Sequence, residues 1–71
     1  MLIQPSEREK VVLDFVKTYA DQHYGRPPTF REIAKALDRC VTTVYHQVAM
    51  LERKGYVERD HWRSRSMRAI A

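Results

Sequence analysis

The side chains best suited to bind something outside the chain cluster between residues 40 and 55. Hydroxyl, imidazole, phenol and guanidinium groups recur there at helical spacing: Thr42, Thr43, Tyr45, His46 and Arg53. All of these groups donate hydrogen bonds, and in the first turns of a helix they are typical of contacts to base edges and phosphates. The alternative is an ordinary polar surface, but the usual Glu and Lys decoration of a solvated face is missing, which favours contact with a ligand.

An apolar stripe in the same segment predicts which face of this helix is buried. The stripe consists of Val41, Val44, Val48 and Leu51. Its spacing is helical, so we expect a helix over 41–54 with these four residues in the core and the polar groups opposite. Tyr45 lies at the edge of the polar face and leaves two possibilities open. Its ring either packs on the preceding helix, with only the hydroxyl reaching a phosphate, or faces the ligand entirely.

Two shorter patterns predict the helices that position this segment. Ser6 and Glu9 form a capping box that starts a helix running to about residue 23. A second capping box, Thr29 with Glu32, starts a helix of about eight residues. Only residues 38–40 then separate it from the third helix, and so short a connection predicts the sharp turn of a helix-turn-helix.

After Gly55 the apolar pattern becomes that of strands. We expect one strand over 56–59 and a second over about 67–70, with Val57 and Ile70 facing inward and a loose polar tip at 61–66. The predicted fold is therefore α+β, mainly α: a winged helix-turn-helix of three helices plus a two-stranded β-hairpin wing. The 71 residues suffice for a single domain over 1–71.

The charge of the chain indicates an anionic partner. The net charge is +4, the pI is about 9.6, and the segment after residue 60 holds three arginines and no acid. Nucleic acid is the first candidate for the partner and an acidic membrane surface the second. In the wing, over 59–68, Arg63 and Arg65 are expected to reach phosphates or the minor groove of double-stranded DNA. The alternative is a disordered basic tip that only raises solubility.

Further contacts are predicted at both ends of the helices. The start of the second helix can bind a phosphate through backbone N–H groups, beside Arg26 and Thr29. Of Arg53 and Lys54, one is expected to reach the DNA backbone and the other to pair with solvent or a nearby acid. The full set of predicted DNA-contact residues is Arg26, Thr29, Arg39, Cys40, Thr42, Thr43, Tyr45, His46, Arg53, Lys54, Arg63 and Arg65.

Several other classes of function are disfavoured by the composition. A single cysteine excludes an internal disulfide, and we interpret Cys40 as a small residue in a tight turn rather than a redox switch. The histidines do not combine with Cys40 in a zinc-binding spacing, and two glycines do not make a phosphate loop. We find no nucleophile–base set, so we expect no enzyme, cofactor or metal. No apolar run approaches the about 20 residues of a membrane span, and no signal peptide is evident, which favours the cytoplasm.

Three segments resemble the N-terminal DNA-binding domain of the LexA family of bacterial SOS repressors. They are RPPTFREIAKAL at 26–37, LERKGYVE at 51–58 and SRSMRAI at 64–70. The resemblance implies a winged helix-turn-helix in which the third helix enters the major groove and the wing also meets DNA. It implies transcriptional repression of the SOS type.

The recognition segment departs from that family. Residues 37–55 are one residue shorter, and CVTTVYHQ stands where the family has a Ser-Pro-Asn type of opening. This stretch is closer to the SxTTVYxHL helices of many bacterial winged regulators, with Cys40 at the serine position, and Ser66 replaces the glycine usual in the wing. The fold is therefore carried over, whereas the operator sequence is not.

The family's self-cleaving peptidase domain, which supplies its main dimer contact, does not follow Ala71. The chain is either a stand-alone small regulator or a piece of a longer protein, and we favour a complete short protein. Its apolar positions are already assigned to one core, so we expect a monomer when free that is able to pair on a palindromic site. A winged-helix protein-interaction module is the second functional hypothesis. A docking surface should carry a central apolar hot spot, whereas the predicted face is polar with basic edges. A bacterial or phage-type transcriptional repressor is the preferred interpretation.

Overall fold

A computed structural model describes residues 4–59 and 67–70 and contains three helices and a small antiparallel sheet. The elements are α1 (Glu7–Gln22), α2 (Phe30–Leu37), α3 (Val41–Arg53), β1 (Val57–Glu58) and β2 (Arg68–Ala69). This order confirms the predicted α+β fold of a winged helix-turn-helix. Both strands are shorter than predicted, because only Val57–Ala69 and Glu58–Arg68 pair in the ladder.

Both predicted capping boxes are present at the starts of α1 and α2. The Ser6 hydroxyl accepts a hydrogen bond from the Glu9 N–H at 3.2 Å, and the Glu9 carboxylate accepts from the Ser6 N–H at 3.1 Å. Thr29 and Glu32 repeat the arrangement at 3.1 and 2.8 Å. Each box satisfies two N–H groups that the first turn leaves without a helical partner, and a cap of this kind stabilises a helix by about 1 kcal/mol.

The turn between α2 and α3 is closed by the backbone. Asp38 takes the left-handed conformation with φ of 54°, and the Arg39 N–H donates to the Ala34 carbonyl at 2.8 Å. At the other end of α3, Gly55 has φ of 88°, as a left-handed helix terminator requires. The Tyr56 N–H then donates to the Leu51 carbonyl at 2.9 Å. These two turns fix where α3 begins and ends.

The core draws on all three helices and on the hairpin. Its buried apolar residues are Val12, Leu13, Val16, Ile33, Ala34, Val44, Val48, Leu51, Val57 and Met67. Three members of the predicted α3 stripe are buried, but Val41 is 44% exposed. Val41 is the first residue of α3, so it lies one turn before the stretch that packs on the core.

The prediction that Ile70 faces inward was wrong. Ile70 is 50% exposed, whereas Met67 is buried. Side chains alternate along a strand, so Met67 and Ala69 share the inner face while Arg68 and Ile70 share the outer face. The second strand therefore has the opposite phase from the predicted one, with Met67 as its core residue.

Candidate nucleic-acid interface

The first two turns of α3 present polar side chains to solvent. Thr42, Tyr45 and His46 are exposed and Thr43 is partly exposed, while Val44 on the opposite face is fully buried. None of these four polar side chains has a hydrogen-bond partner among residues 4–59 and 67–70. The helix therefore carries a row of unoccupied donors and acceptors on the predicted face.

The N-terminus of α3 differs from the N-termini of the other two helices. Its N-cap residue, Cys40, makes no side-chain capping hydrogen bond, and no acid stands in the first turn. α1 and α2 both have complete capping boxes with a glutamate in the first turn. Among the described residues, no side-chain cap and no first-turn carboxylate meets the leading N–H groups of α3, and the positive end of the helix dipole there favours an anion. Cys40 itself is exposed and unbridged.

Tyr45 packs its ring on α2, as one of the two predicted arrangements requires, and the contact of its hydroxyl with a phosphate stays a prediction. The rings of Tyr45 and Phe30 meet edge to face, with centroids 5.6 Å apart and an interplanar angle of 81°. Tyr45 nevertheless remains 47% exposed, and its hydroxyl has no partner within the described part of the chain. The ring is therefore held against α2, while the side chain stays partly exposed.

At the start of α2 the capping role of Thr29 is observed. Its hydroxyl accepts from the Glu32 N–H, and the Glu32 carboxylate occupies the Thr29 N–H. Arg26 is exposed two residues before the buried Pro28. Since a carboxylate already occupies this helix end, a phosphate contact here depends on Arg26, and it stays a prediction.

The two cations at the C-terminal end of α3, Arg53 and Lys54, have different surroundings. Lys54 Nζ lies 2.6 Å from Glu9 Oε1, and the two side chains are only 15% and 11% exposed. Lys54 is thus the member of the pair that binds a nearby acid, whereas Arg53 is exposed. Burial raises the pKa of Glu9, but hydrogen bonds from Lys54 and Ser6 together with the charge of Lys54 outweigh it. The net result is a pKa below the ordinary value of 4.5.

Arg39 links the turn between α2 and α3 to both α1 and α3 by side-chain hydrogen bonds. One guanidinium nitrogen donates to Gln47 Oε1 at 2.9 Å and to the Arg8 carbonyl at 3.3 Å. The sequence carries no local signal for these bonds, because both partners are distant along the chain. Arg39 has further N–H donors, so its predicted DNA contact remains a prediction.

Three basic residues of the described chain were not singled out from the sequence. Arg31 and Lys35 are exposed one turn apart on α2. Their position off the apolar stripe of α2 is the signal that could have identified them. Arg59 is held against Phe30 and Tyr45. Of the predicted contacts in the wing, Arg63 and Arg65 lie outside the described residues.

Two negative findings concern the described residues alone. No group of three or more His, Cys, Asp or Glu side chains in residues 4–59 and 67–70 is arranged to hold a metal ion. Over the same ranges, none of the helices combines the length and the apolar character that crossing a membrane requires.

Comparison with known proteins identifies relatives for almost the whole chain. Residues 4–66 match the sequence profile described as the LexA DNA binding domain. A LexA repressor of Carboxydothermus hydrogenoformans is 36% identical over 67 residues, which cover 93% of this chain and 32% of the repressor. LexA repressors of Anaeromyxobacter dehalogenans and Mycobacterium ulcerans are 43% and 40% identical over 63 residues, covering 87% of this chain and 27% and 25% of their own. The chain spans about a third or less of these relatives.

Proposed function

The chain belongs to the LexA DNA-binding domain family, and from this premise we propose that it is a sequence-specific, double-stranded DNA-binding transcriptional repressor of bacterial or phage type. The observation that carries the proposal is the outward face of α3. In its first two turns Thr42, Tyr45 and His46 are exposed, and none has an internal hydrogen-bond partner among the described residues. Such groups on the leading turns of a helix suit the donors and acceptors of base edges.

The proposed mechanism places α3 in the major groove, which at about 12 Å is wide enough for a helix. Thr43 and His46 contact base edges, and Tyr45 reaches a phosphate or a base with its hydroxyl. The uncapped N-terminus of α3 lies against a phosphate, where its N–H groups and dipole favour negative charge. Arg53 supplies a cation at the other end of the helix.

The wing is proposed to contact the DNA beside the groove that α3 enters. Arg63 and Arg65 provide positive charge without a neighbouring acid, which suits the phosphate backbone or the minor groove. Arg65→Ala is expected to weaken binding on all sequences and to lower the slope of log affinity against log salt by about one unit. An unchanged slope would remove the wing from the interface.

The biological setting follows as part of the same proposal. The relatives are LexA repressors, and the resemblance to that family of SOS repressors leads us to place the chain in an SOS-type regulatory response, acting at the nucleoid in the cytoplasm. We propose a free monomer that pairs on a palindromic site with half-sites about one helical turn apart. No step of this function requires catalysis or a cofactor.

The test is selection of bound duplexes from a random library at physiological salt. The wild-type protein is expected to enrich a defined motif. Thr18→Ala, an exposed change on α1, serves as the matched control and should enrich the same motif, whereas His46→Ala should enrich a less defined one. A wild-type selection without any enriched motif would overturn the proposal and favour the protein-interaction module instead.

A further inference from the structure

Arg59 is a charged residue that the fold keeps mostly out of solvent. Its side chain is only 11% exposed, although it follows directly after β1 and stands at the start of the predicted wing. Its guanidinium carbon lies 4.9 Å from the ring centroid of Phe30 and 5.3 Å from that of Tyr45. Both distances are within the range in which a cation is attracted to an aromatic ring.

The charge of Arg59 is balanced inside the protein. One guanidinium nitrogen lies 3.9 Å from Glu52 Oε1, and Glu52 belongs to the last turn of α3. The guanidinium is therefore surrounded by a ring from α2, a ring from α3 and a carboxylate from α3. A cation in this setting is poorly placed to neutralise a phosphate, since reaching one requires it to leave three partners.

The same contacts restrain Tyr45. Phe30 meets its ring edge to face, and the guanidinium carbon of Arg59 lies over the ring within cation–π distance. The hydroxyl of Tyr45 has no partner within residues 4–59 and 67–70. A half-exposed tyrosine with a restrained ring and an unused hydroxyl can present that hydroxyl in one direction with little loss of side-chain freedom on binding.

We propose that Arg59 is a positioning residue for DNA recognition: by lying against the rings of Tyr45 and Phe30 it fixes the direction in which the Tyr45 hydroxyl meets the DNA. The inference rests on the proposed function, because it assumes that the α3 face binds a duplex. It assigns Arg59 an action through Tyr45 and no phosphate contact of its own. Arg59 also joins the chain directly after β1 to α3.

A double-mutant cycle on the duplex selected by the wild-type protein tests this. Arg59→Ala is expected to weaken binding about fivefold or more, the loss typical of one specific contact, with an unchanged salt slope. In a Tyr45→Phe background, which removes only the hydroxyl, Arg59→Ala should have little further effect because there is no hydroxyl left to position. Equal losses in both backgrounds with a shallower salt slope would show that Arg59 is a phosphate ligand and overturn the proposal.

Arg59→Lys separates the contribution of the planar guanidinium from that of its positive charge. It is also a smaller change than Arg59→Ala, so it tests the proposal even where Arg59→Ala fails to fold. Lysine keeps the positive charge beside Glu52 and part of the attraction to the rings, but it lacks the planar guanidinium that contacts both rings and Glu52, so its affinity should fall between those of wild type and Arg59→Ala. Binding at the wild-type level in Arg59→Lys would overturn the proposal. Ring proton shifts of Tyr45 and Phe30 in the free protein give a second measurement, which should change in both Arg59 variants and stay unchanged in Lys17→Ala.

The selection with the wild-type protein distinguishes failure of the proposed function from failure of the positioning role of Arg59. A wild-type protein that selects no motif overturns the proposed function, and the positioning role falls with it. A wild-type protein that selects a motif, with Arg59 and Tyr45 acting additively on it, overturns only the positioning role.

Discussion

The two halves of α3 are built for different tasks. In the N-terminal half, Thr42 and His46 are exposed without hydrogen-bond partners among the described residues, and the helix end has no side-chain cap. In the C-terminal half, Leu51 is fully buried, and Glu52 and Lys54 form ion pairs with Arg59 and Glu9. We call the N-terminal half of α3 the open half and the C-terminal half, with the Lys54 cap, the fastened half.

The difference shows how a small domain can position unused polar groups. The exposed side chains of the open half contribute little to folding, unlike the buried Val44, so their types are free to suit a ligand. The fastened half supplies burial and pairing, which hold the helix against α1 and the hairpin. Substitutions should therefore separate into two groups, one lowering the free energy of unfolding and one lowering DNA affinity. A residue that did both would break the comparison.

The largest effect is expected in the fastened half, from Leu51→Ala. Removing a fully buried leucine costs lost transfer free energy plus a cavity, about 2–5 kcal/mol. In a domain of this size that lowers the melting temperature by roughly 10 °C or more. Thermal unfolding measures it, with Met50→Ala on the exposed side of α3 as the control. An unchanged melting curve for Leu51→Ala would show that α3 packs through another face.

The second effect belongs to the open half. Thr43→Ala or His46→Ala should cost about 1–3 kcal/mol of binding to the selected duplex and relax the preference at particular base pairs. The free energy of unfolding should stay within about 0.5 kcal/mol of wild type, as is usual for surface changes. Parallel urea unfolding and binding titrations measure the two quantities. Equal loss on every sequence would show that these side chains touch only phosphates.

A sequence alone could predict the open half but only part of the fastened half. The stripe of Val44, Val48 and Leu51 and the capping boxes are local patterns, and the structure confirms them. The pairing of Glu9 with Lys54 joins residues 45 positions apart, so no local pattern reports it. A basic residue at the end of a helix looks the same in sequence whether it is paired or free.

The errors at Val41 and Ile70 have a common physical origin. A hydrophobic pattern gives the period of an element but not where its packing begins or which strand face is inward. Val41 extends the helical pattern one turn beyond the packed region, and Ile70 belongs to the outer face because Met67 sets the phase. The role of Arg59 could not be predicted either, since it depends on two rings brought together only by the tertiary fold.

The third effect concerns two neighbouring cations at the C-terminal end of α3. Lys54 is paired with Glu9 inside the protein, whereas Arg53 is exposed and is a predicted DNA contact. Lys54→Met should lower the free energy of unfolding by about 1–2 kcal/mol, because the Glu9 carboxylate loses a charged hydrogen-bond donor. Arg53→Met should leave stability unchanged and reduce the salt slope of DNA binding by about one unit. Urea unfolding and salt-dependent titration of both variants check this. A reversal of the two outcomes would mean that Lys54 leaves Glu9 to bind DNA.

The smallest effect is the acid sensitivity that Glu9 gives to the fastened half. The pKa of Glu9 in the folded chain lies below the ordinary value of 4.5, so the folded state favours the ionised carboxylate more than the unfolded state does. Its contribution to stability is therefore complete above that ordinary value and is lost as the pH falls through the folded pKa. Urea unfolding of wild type and Glu9→Gln at pH 7 and at successively lower pH values measures the difference between them. The difference should shrink as acid is added, because protonated Glu9 and glutamine are both neutral.

Glu7→Gln, which removes an exposed acid of the same helix, is the control and should show no such convergence. A difference between wild type and Glu9→Gln that stays constant with pH would mean that it does not arise from the charge of Glu9 beside Lys54.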